Sequence, residues 1–320
     1  MRPKTCETAV KRSMKQSGRY GRAVETACRR IARDRISYFL IAPFMLIFLL
    51  FSVVPVLVSV GISFTSFNLL ESPLWVGGDN YIRLFLADSV FLTAFKNTLL
   101  LAVVIGPVGY IISLLFAWLI NELPDGLRVF FTFLFYLPSI SGNIYMIWTV
   151  LFNGDIYGYL NGLLYKLGVI SEPVLWLKDP RYMMGIVILV ALWSSLGTSF
   201  LAFIAGFKGI DRQYYEAASV DGITNMWQEL WFITLPIMRP QMMFGAVMSI
   251  SSSFGVGAIC TALCGFPSTD YAVHTIMNHL EDYGGQRFEM GYACAIATVL
   301  FLLMILTNRL VQTVIAKVGE

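Results

Sequence analysis

Residues 97–121 read NTLLLAVVIGPVGYIISLLFAWLIN and contain no Asp, Glu, Lys or Arg. A helix of about 20 apolar residues is long enough to cross the hydrocarbon core of a bilayer, which is about 30 Å thick. Lipid cannot satisfy backbone N–H and C=O groups, so such a stretch must be helical. Five further stretches lack the same four residue types: Ile36 to Leu70, Val129 to Gly154, Tyr182 to Phe207, Pro240 to Thr269 and Met290 to Asn308. The sequence therefore predicts an all-α membrane protein with six transmembrane helices.

The composition agrees with this interpretation. Hydrophobic residues make up 57% of the 320 residues, charged residues only 13%, and the mean hydropathy is +0.69. Soluble domains usually contain about 25% charged residues. A soluble protein with six buried helices would need long polar segments to wrap them, and the sequence has no such segments. Lipid is therefore predicted to be the main solvent.

The distribution of Lys and Arg predicts the orientation. Residues 1–35 hold eleven of the 23 Lys and Arg residues, and cytosolic segments of membrane proteins are enriched in these cations. With this basic N-terminal segment in the cytosol, six spans also return the C-terminus to the cytosol. Inside segments then carry seventeen Lys and Arg and outside segments six. We thus expect a basic cytosolic segment, 1–35, and a six-helix transmembrane domain, 36–316, with a cytosolic loop at 207–239.

That loop contains DRQYYEAASVDGITNMWQELWFITLP, residues 211–236. Asp211 is suited to cap a first short helix, and Asp221–Gly222 is suited to the bend that follows it. Asn225, with Gln228 three residues later, resembles a capping pair for a second helix. That second helix would present four apolar side chains at helical spacing: Trp227, Leu230, Trp231 and Ile233. Apolar side chains on a cytosolic loop need to be shielded from water. Three environments would do this: the protein's own spans, the lipid headgroup region, or the groove of a partner protein.

The same segment resembles the EAA loop of permease subunits of binding-protein-dependent ABC importers. The family pattern is Glu-Ala-Ala, three residues, Gly, about nine residues, then Ile-x-Leu-Pro. This chain supplies Glu216, Ala217, Ala218, Gly222, Ile233, Leu235 and Pro236. Asp221–Gly222 and Arg239–Pro240 look like the carbohydrate-uptake branch, similar to the maltose and glycerol-phosphate type. The wider resemblance covers about residues 93–312, including Lys96–Asn97–Thr98.

The chain departs from the family pattern at one place. Ten residues, and not nine, separate Gly222 from Ile233. An extra residue in a helix is expected to rotate or lengthen it, which changes the face that the second helix presents.

The resemblance implies a type I ABC importer permease fold in the cell (cytoplasmic or inner) membrane. It implies a loop that acts as a coupling helix in a cleft of an ATPase subunit, so that ATP binding rocks paired permeases from inward-open to outward-open. The ATPase-coupling residues would be Glu216, Ala217, Ala218, Asp221, Gly222, Trp227, Leu230, Trp231, Ile233, Leu235 and Pro236. Glu216 would hold the loop through a charged contact or a helix-end amide.

The expected partners are a second permease subunit in a heterodimer, ATP-binding subunits, an extracytoplasmic substrate-binding protein and the lipid bilayer, with no nucleic acid. No P-loop motif occurs in the sequence. The chain is therefore not expected to be an enzyme or to hold a cofactor, and ATP and Mg would bind to the partner ATPase. No catalytic or metal motif is expected either.

Two other functions stay open. An ion-coupled secondary transporter usually carries Asp, Glu or His at membrane depth, and the interiors of the six predicted spans have none. An ABC permease for amino acids or peptides would share the loop described above. His274 and His279 are five residues apart, on different helical faces, and are predicted to be surface or loop histidines rather than ligands.

A sugar or oligosaccharide path should combine aromatic faces with hydroxyl and amide groups. Candidates within the predicted spans are Asn143, Tyr145, Trp148, Trp193, Ser194, Ser195, Ser251, Ser252 and Ser253. Interfacial anchoring by Trp and Tyr, or close helix packing by Ser, is the alternative role for each of them. By resemblance, the outside loop Gly265 to Tyr271 would face the substrate-binding protein.

Overall fold

A computed structural model describes residues 35–142 and 145–316 of the chain. Asn143 therefore lies outside the described residues. So does the basic segment predicted at residues 1–35, apart from its last residue. The regular elements of the described chain are helices and two strands of two residues each, joined by turns and loops, which agrees with the predicted all-α class.

The first described helix is long and apolar. Helix α1, Arg35–Phe48, continues through a π-helical turn at Leu49–Val53 into α2, Val54–Ile62. No residue of its most apolar 18-residue window is buried. A helix that is hydrophobic on all sides and has no buried residue in this window is suited to lipid.

The remaining elements belong to a second compact unit that begins at Ser59. In chain order they are β1 Thr65–Ser66, β2 Leu74–Trp75, α3 Asp79–Ile82, α4 Ser89–Asn121, α5 Asp125–Ile140, α6 Tyr145–Leu151, α7 Tyr159–Lys166, α8 Pro180–Ser194, α9 Thr198–Lys208, α10 Arg212–Val220, α11 Met226–Glu229, α12 Leu235–Ile237, α13 Arg239–Phe254, α14 Gly257–Cys264, α15 Ile276–Glu281 and α16 Met290–Ala316. Three π-helical turns occur at Arg83–Ala87, Leu230–Thr234 and Asp282–Gln286, and a 3-10 turn at Thr269–Tyr271. Strands β1 and β2 pair antiparallel, with Thr65 opposite Trp75.

Four helical stretches are long and apolar enough to cross a membrane: Ile36–Ile62, Ser89–Asn121, Pro180–Lys208 and Met290–Thr313. Two helix pairs meet the same criterion together but are bent. The axes of α5 and α6 differ by 84°, and those of α13 and α14 differ by 41°. The described helices thus supply four spans, or six if each bent pair is one span.

Helix α4 lies at the centre of the second unit, because it packs against both α9 and α13. Helix α13 in turn packs against α9 and α16. Gly245 lets α13 approach α9 closely, since a Cβ at this position would lie 2.5 Å from Phe203 Cζ. Small residues at such crossings are typical of membrane helix packing, where close backbone approach replaces the hydrophobic effect.

Serine hydroxyls join the central helices. Ser249 Oγ on α13 donates to the Gly106 carbonyl on α4 at 2.9 Å, and Ser199 Oγ on α9 donates to the Gly245 carbonyl at 3.0 Å. Each such bond between membrane helices contributes about 0.6 kcal/mol. The serines of this region therefore serve helix packing in part.

The 265–289 segment, between α14 and α16, folds back into the bundle. Thr275 begins α15 with a capping box to Asn278. Asn278 Nδ2 donates to the Gly257 carbonyl at 3.1 Å, and the Ile276 amide donates to Thr98 Oγ1 on α4 at 2.8 Å. Polar bonds to two neighbouring helices thus hold this segment in place.

The prediction of surface or loop histidines was wrong as to the surface, although His274 does lie in a loop, while His279 lies on α15. His274 and His279 are only 3% and 2% exposed, and their rings share a hydrogen bond of 3.3 Å between His274 Nε2 and His279 Nδ1. His279 Nε2 lies 3.0 Å from the Asp88 carboxylate, which also accepts from the Tyr292 hydroxyl at 2.8 Å. The spacing argument failed because the loop turns inward at Thr275, which places both rings next to the start of α4.

Candidate functional site

The 211–236 segment folds as two short helices with a bend, as the sequence predicts. Asp211 caps α10 by accepting from the Gln213 amide at 3.1 Å. Gly222 adopts a φ of +90°, a backbone conformation that side-chain-bearing residues resist. Asn225 then caps α11 by accepting from the Trp227 amide at 3.1 Å. Local capping and one glycine therefore define the bend.

The extra residue of the segment coincides with a π-helical turn at Leu230–Thr234. Leu230 is 8% exposed and Leu235 is 7% exposed, so both are buried. In an α-helix two residues five apart point about 140° from each other, since each residue turns about 100°. The wider π turn brings both leucines to the buried side. The additional residue is absorbed locally, and the helix register into α12 is kept.

The structure divides the predicted coupling residues into two groups. Ala218, Leu230 and Leu235 are buried, while Ile233 and Pro236 are half-buried. Those on the surface are Glu216, Ala217, Asp221, Gly222, Trp227 and Trp231. The four apolar side chains predicted at helical spacing therefore do not form one exposed face.

One exposed aromatic residue was missed by the sequence reasoning. Phe232 is 65% exposed, next to Trp231 at 64% and near Trp227 at 60%. We call these three residues the aromatic surface. The signal in the sequence was the spacing of ten residues between Gly222 and Ile233. One extra residue accommodated in a π turn shifts the exposed positions by one, and Phe232 thereby becomes exposed.

Glu216 makes a charged contact within its own helix. Its carboxylate lies 3.2 Å from Arg212 Nε, one turn earlier on α10, and both side chains are largely exposed. Exposed pairs of this kind contribute about 0.3–0.5 kcal/mol. The pair leaves the Glu216 carboxylate at the surface, where it remains accessible to another cation.

A pair of hydroxyl groups joins α10 to the π turn. Thr234 Oγ1 donates to the Glu229 carbonyl at 3.1 Å, and the Tyr215 hydroxyl lies 3.0 Å from Thr234 Oγ1. Thr234 is 3% exposed, and burial raises the pKa of Tyr215.

Trp227 packs on Trp118, at the end of α4, with ring centroids 4.7 Å apart.

An open groove of about 640 Å³ lies beside the segment. Helix ends form one wall, including Trp118 of α4 and Lys208 of α9, and the segment contributes Tyr215, Glu229 and Leu230. The segment therefore borders a partly polar groove instead of packing against the bundle over its whole length.

The substrate-path candidates separate in a similar way. The indole rings of Trp148 and Trp193 meet edge to face, with centroids 5.3 Å apart. Trp148 Nε1 and Ser194 Oγ are buried and have no hydrogen-bond partner among the described residues. Buried donors normally have partners, so an unpaired donor needs an explanation such as a bound water or ligand. Tyr145 is half-buried and packs against the same hydrophobic cluster as Trp148.

The other candidates bond to their own helices. Ser195, Ser251, Ser252 and Ser253 donate to carbonyls three or four residues earlier. Ser253 is buried, and its Oγ lies 3.5 Å from the position of a Cβ on Gly106, in the seam between α4 and α13. Its geometry is that of a packing residue. Asn143 lies outside the described residues.

Comparison with known proteins identifies the class. The "Probable ABC transporter permease protein YesP" of Bacillus subtilis (strain 168) is 34% identical over 86% of this chain and 89% of its own length. The arabinooligosaccharides transport system permease protein AraP of Halalkalibacterium halodurans (strain ATCC BAA-125 / DSM 18197 / FERM 7344 / JCM 9153 / C-125) is 28% identical over 84% of each chain.

A solved structure shows the same fold. It is a bacterial alginate ABC transporter in complex with an alginate pentasaccharide-bound periplasmic protein, and one of its chains matches with a TM-score of 0.73. That chain is 27% identical, and the match covers 91% of this chain and 99% of the other. The model of the family "Binding-protein-dependent transport system inner membrane component" matches residues 109–319. These matches show that the chain belongs to the binding-protein-dependent transport system inner membrane components, which are membrane-spanning permease subunits of ABC transporters.

Proposed function

We propose that this chain is a translocation-pathway subunit of an ATP-driven importer for a sugar or oligosaccharide, coupled to a separate ATPase through residues 211–236. A second, different permease subunit would complete the pathway. ATP-binding subunits would hold ATP and Mg on the cytosolic side, and a substrate-binding protein would deliver the sugar outside.

The aromatic surface is the observation that carries the coupling proposal. Trp227, Trp231 and Phe232 are each at least 60% exposed on a segment that caps and a glycine hold in one shape. Exposed aromatic side chains are typical of the residues that dominate protein interfaces. Glu216 on α10 adds an exposed charged group to the same segment. A preformed segment also loses little conformational entropy when a partner binds.

The neighbours of the unpaired donors support a sugar as the cargo. Trp148 and Trp193 offer aromatic faces, while Trp148 Nε1 and Ser194 Oγ offer buried donors that sugar hydroxyls could accept from. Two of the matched proteins are described as arabinooligosaccharide and alginate transporters, both of which handle carbohydrate. We therefore place the substrate path beside Trp148 rather than along the serines 251–253.

The proposed orientation puts the 265–289 segment outside the cell, where a binding protein would dock. Pro267, Thr269, Asp270 and Tyr271 are exposed at its start. Asn97 Nδ2 on α4 donates to the carbonyls of the same stretch at 3.0–3.2 Å. This stretch is both accessible and hydrogen-bonded to a central helix. Binding of the substrate-binding protein here would therefore act directly on the transmembrane helices.

The coupling proposal is tested in proteoliposomes that contain the whole importer, by measuring binding-protein-stimulated ATP hydrolysis and sugar uptake. Gly222→Pro removes the left-handed bend, and Glu216→Lys reverses the exposed charge. Both variants are expected to assemble and to lose most stimulated ATPase activity and uptake. Glu172→Lys, the same charge reversal at an exposed position between α7 and α8, is the matched control and should leave both activities intact. Full coupling in the two loop variants would refute the proposal.

The same vesicles separate the alternatives. Uptake of an oligosaccharide should require ATP and persist after an ionophore collapses proton and sodium gradients. Uptake that follows the ion gradient would identify a secondary transporter. ATP-driven uptake of amino acids or peptides, with none for sugars, would show that the carbohydrate assignment is wrong.

A further inference from the structure

Residues 230–234 set the register between the coupling segment and the span that follows it. The π turn holds Leu230, Thr234 and Leu235 on the buried side at once. A wider turn has poorer hydrogen-bond geometry than an α-helix, so such turns persist only where other contacts favour them. Thr234 makes such contacts at the end of the turn.

The direction of each bond around Thr234 can be assigned. A threonine hydroxyl has one hydrogen to donate and can accept further bonds. Thr234 donates its hydrogen to the Glu229 carbonyl, five residues earlier, at 3.1 Å. The Tyr215 hydroxyl, 3.0 Å away, must then be the donor to Thr234 Oγ1. A relay of two hydroxyls thus runs from α10 through Thr234 to the first carbonyl of the π turn.

The relay connects α10 to the π turn directly, without passing through the bend at Gly222. Tyr215 precedes Glu216 on α10, and Thr234 precedes Leu235 and Pro236 at the start of the next span. The covalent route between the two hydroxyls is nineteen residues long and passes the left-handed Gly222. The bend joins the two helices only through the main chain, whereas the part-buried hydrogen bond between the two hydroxyls links α10 directly to the π turn.

We infer that the Tyr215–Thr234–Glu229 relay is the strut that makes the two helices of the coupling segment move as one body with α12, which leads into α13. Tyr215 and Thr234 are positioning residues, because they act through the segment and not on the ATPase or the sugar. The inference rests on the proposed function, since it assumes that the segment carries motion from an ATPase to the spans.

The test uses four variants of the whole reconstituted importer. Tyr215→Phe removes the donor to Thr234, Thr234→Val removes the central hydroxyl, a double variant removes both, and Thr234→Ser retains the hydroxyl. The readout is sugar transported per ATP hydrolysed, together with the amount of ATPase bound to the permease. Tyr214→Phe, an exposed neighbour on the same helix, is the matched control.

Tyr215→Phe is expected to lower the transport-to-hydrolysis ratio roughly fivefold, as the loss of one hydrogen bond would, and Thr234→Val, which removes two hydrogen bonds, at least as much. The amount of bound ATPase should stay unchanged. The double variant should be no worse than Thr234→Val, because both substitutions break one relay, and Thr234→Ser and Tyr214→Phe should match the unaltered chain. A ratio unchanged in Tyr215→Phe and Thr234→Val, or independent losses that multiply in the double variant, would overturn the strut.

Failure of this inference is distinct from failure of the proposed function. If Gly222→Pro uncouples the importer while Tyr215→Phe and Thr234→Val do not, the segment couples without the strut. If Gly222→Pro itself leaves coupling intact, the proposed function fails first.

Discussion

Acidification from pH 7 to pH 5 is expected to loosen the 265–289 segment. The sequence has only two histidines, His274 and His279, and both are buried there. Burial lowers the pKa of His274 from 6.5 to about 4, and the neighbouring His279 adds to this effect. Burial also lowers the pKa of His279, against an opposing contribution from the Asp88 carboxylate. The two imidazoles are therefore neutral at pH 7.

The sign of the effect follows from these directions. The unfolded segment takes up protons near pH 6.5, before the folded one does, so the stability that the neutral rings contribute is lost as the pH falls from about 6.5 to about 4. For His274 the loss at pH 5 is at most about 2 kcal/mol. Burial also acts on Asp88, but the Phe91 amide, the Tyr292 hydroxyl and His279 together lower its pKa from 3.8, so its contribution persists at pH 5.

Other charged groups around the rings modify this loss but do not reverse it. Those that act on both histidines are Asp88, Asp282 and Arg287. The two carboxylates favour protonation and the guanidinium opposes it. Because His274 Nε2 and His279 Nδ1 share one hydrogen bond, a proton on both rings would place two N–H groups against each other. The segment should therefore open before both rings are charged.

Thermal unfolding in detergent and hydrogen exchange of amides 268–283 measure the effect. A loss of 2 kcal/mol corresponds to a fall in midpoint of roughly 5 °C between pH 7 and pH 5. His274→Phe places a third aromatic ring beside Phe266 and Tyr271, and it should remove most of the acid dependence. Tyr271→Phe retains both imidazoles and is the control. A full acid-dependent fall in His274→Phe would refute the reasoning.

Two further predictions concern packing. Gly245→Ala should cost about 1–3 kcal/mol of unfolding free energy, since the new methyl would clash with Phe203, whereas Gly185→Ala, with nothing within 4 Å, should be neutral or stabilising in the same thermal unfolding assay. Deletion of Phe232 should convert the π turn to an α-turn, with Leu230 and Leu235 four apart on one buried face, and should change the midpoint by only a few degrees. Unfolding of the Phe232 deletion at ordinary temperature would contradict our account of the π turn.

Capping residues and one glycine in the sequence predicted much of the structure of the coupling segment, residues 211–236. Asp211 and Asn225 act as caps because short polar side chains accept from the first free amides of a helix, which depends on neighbours in sequence alone. Gly222 adopts the expected positive φ for an equally local reason. The charge-free stretches likewise predicted where long apolar helices lie, although α5 and α6 are sharply bent instead of forming one straight span.

What the sequence did not predict depends on tertiary contacts. The π turn needs the buried sites of Leu230 and Leu235, so spacing alone indicated only that the helix would be rotated or lengthened. The histidines are buried because Asn97 and Thr98 of α4 hold the backbone of the 265–289 segment. The Thr275 capping box was a visible sign of a helix there, but not of its inward direction.

Site-specific photo-cross-linking tests the central claim most directly. A photoreactive amino acid replaces Trp231 on the aromatic surface, or Leu70 between β1 and β2, which is 91% exposed and which the proposed orientation puts outside the cell. In membranes that contain the whole importer, the account predicts a cross-link from position 231 to the ATPase subunit that changes on ATP binding, and none from position 70. An ATPase cross-link at position 70, or labelling of position 231 by a membrane-impermeant reagent added outside, would contradict it.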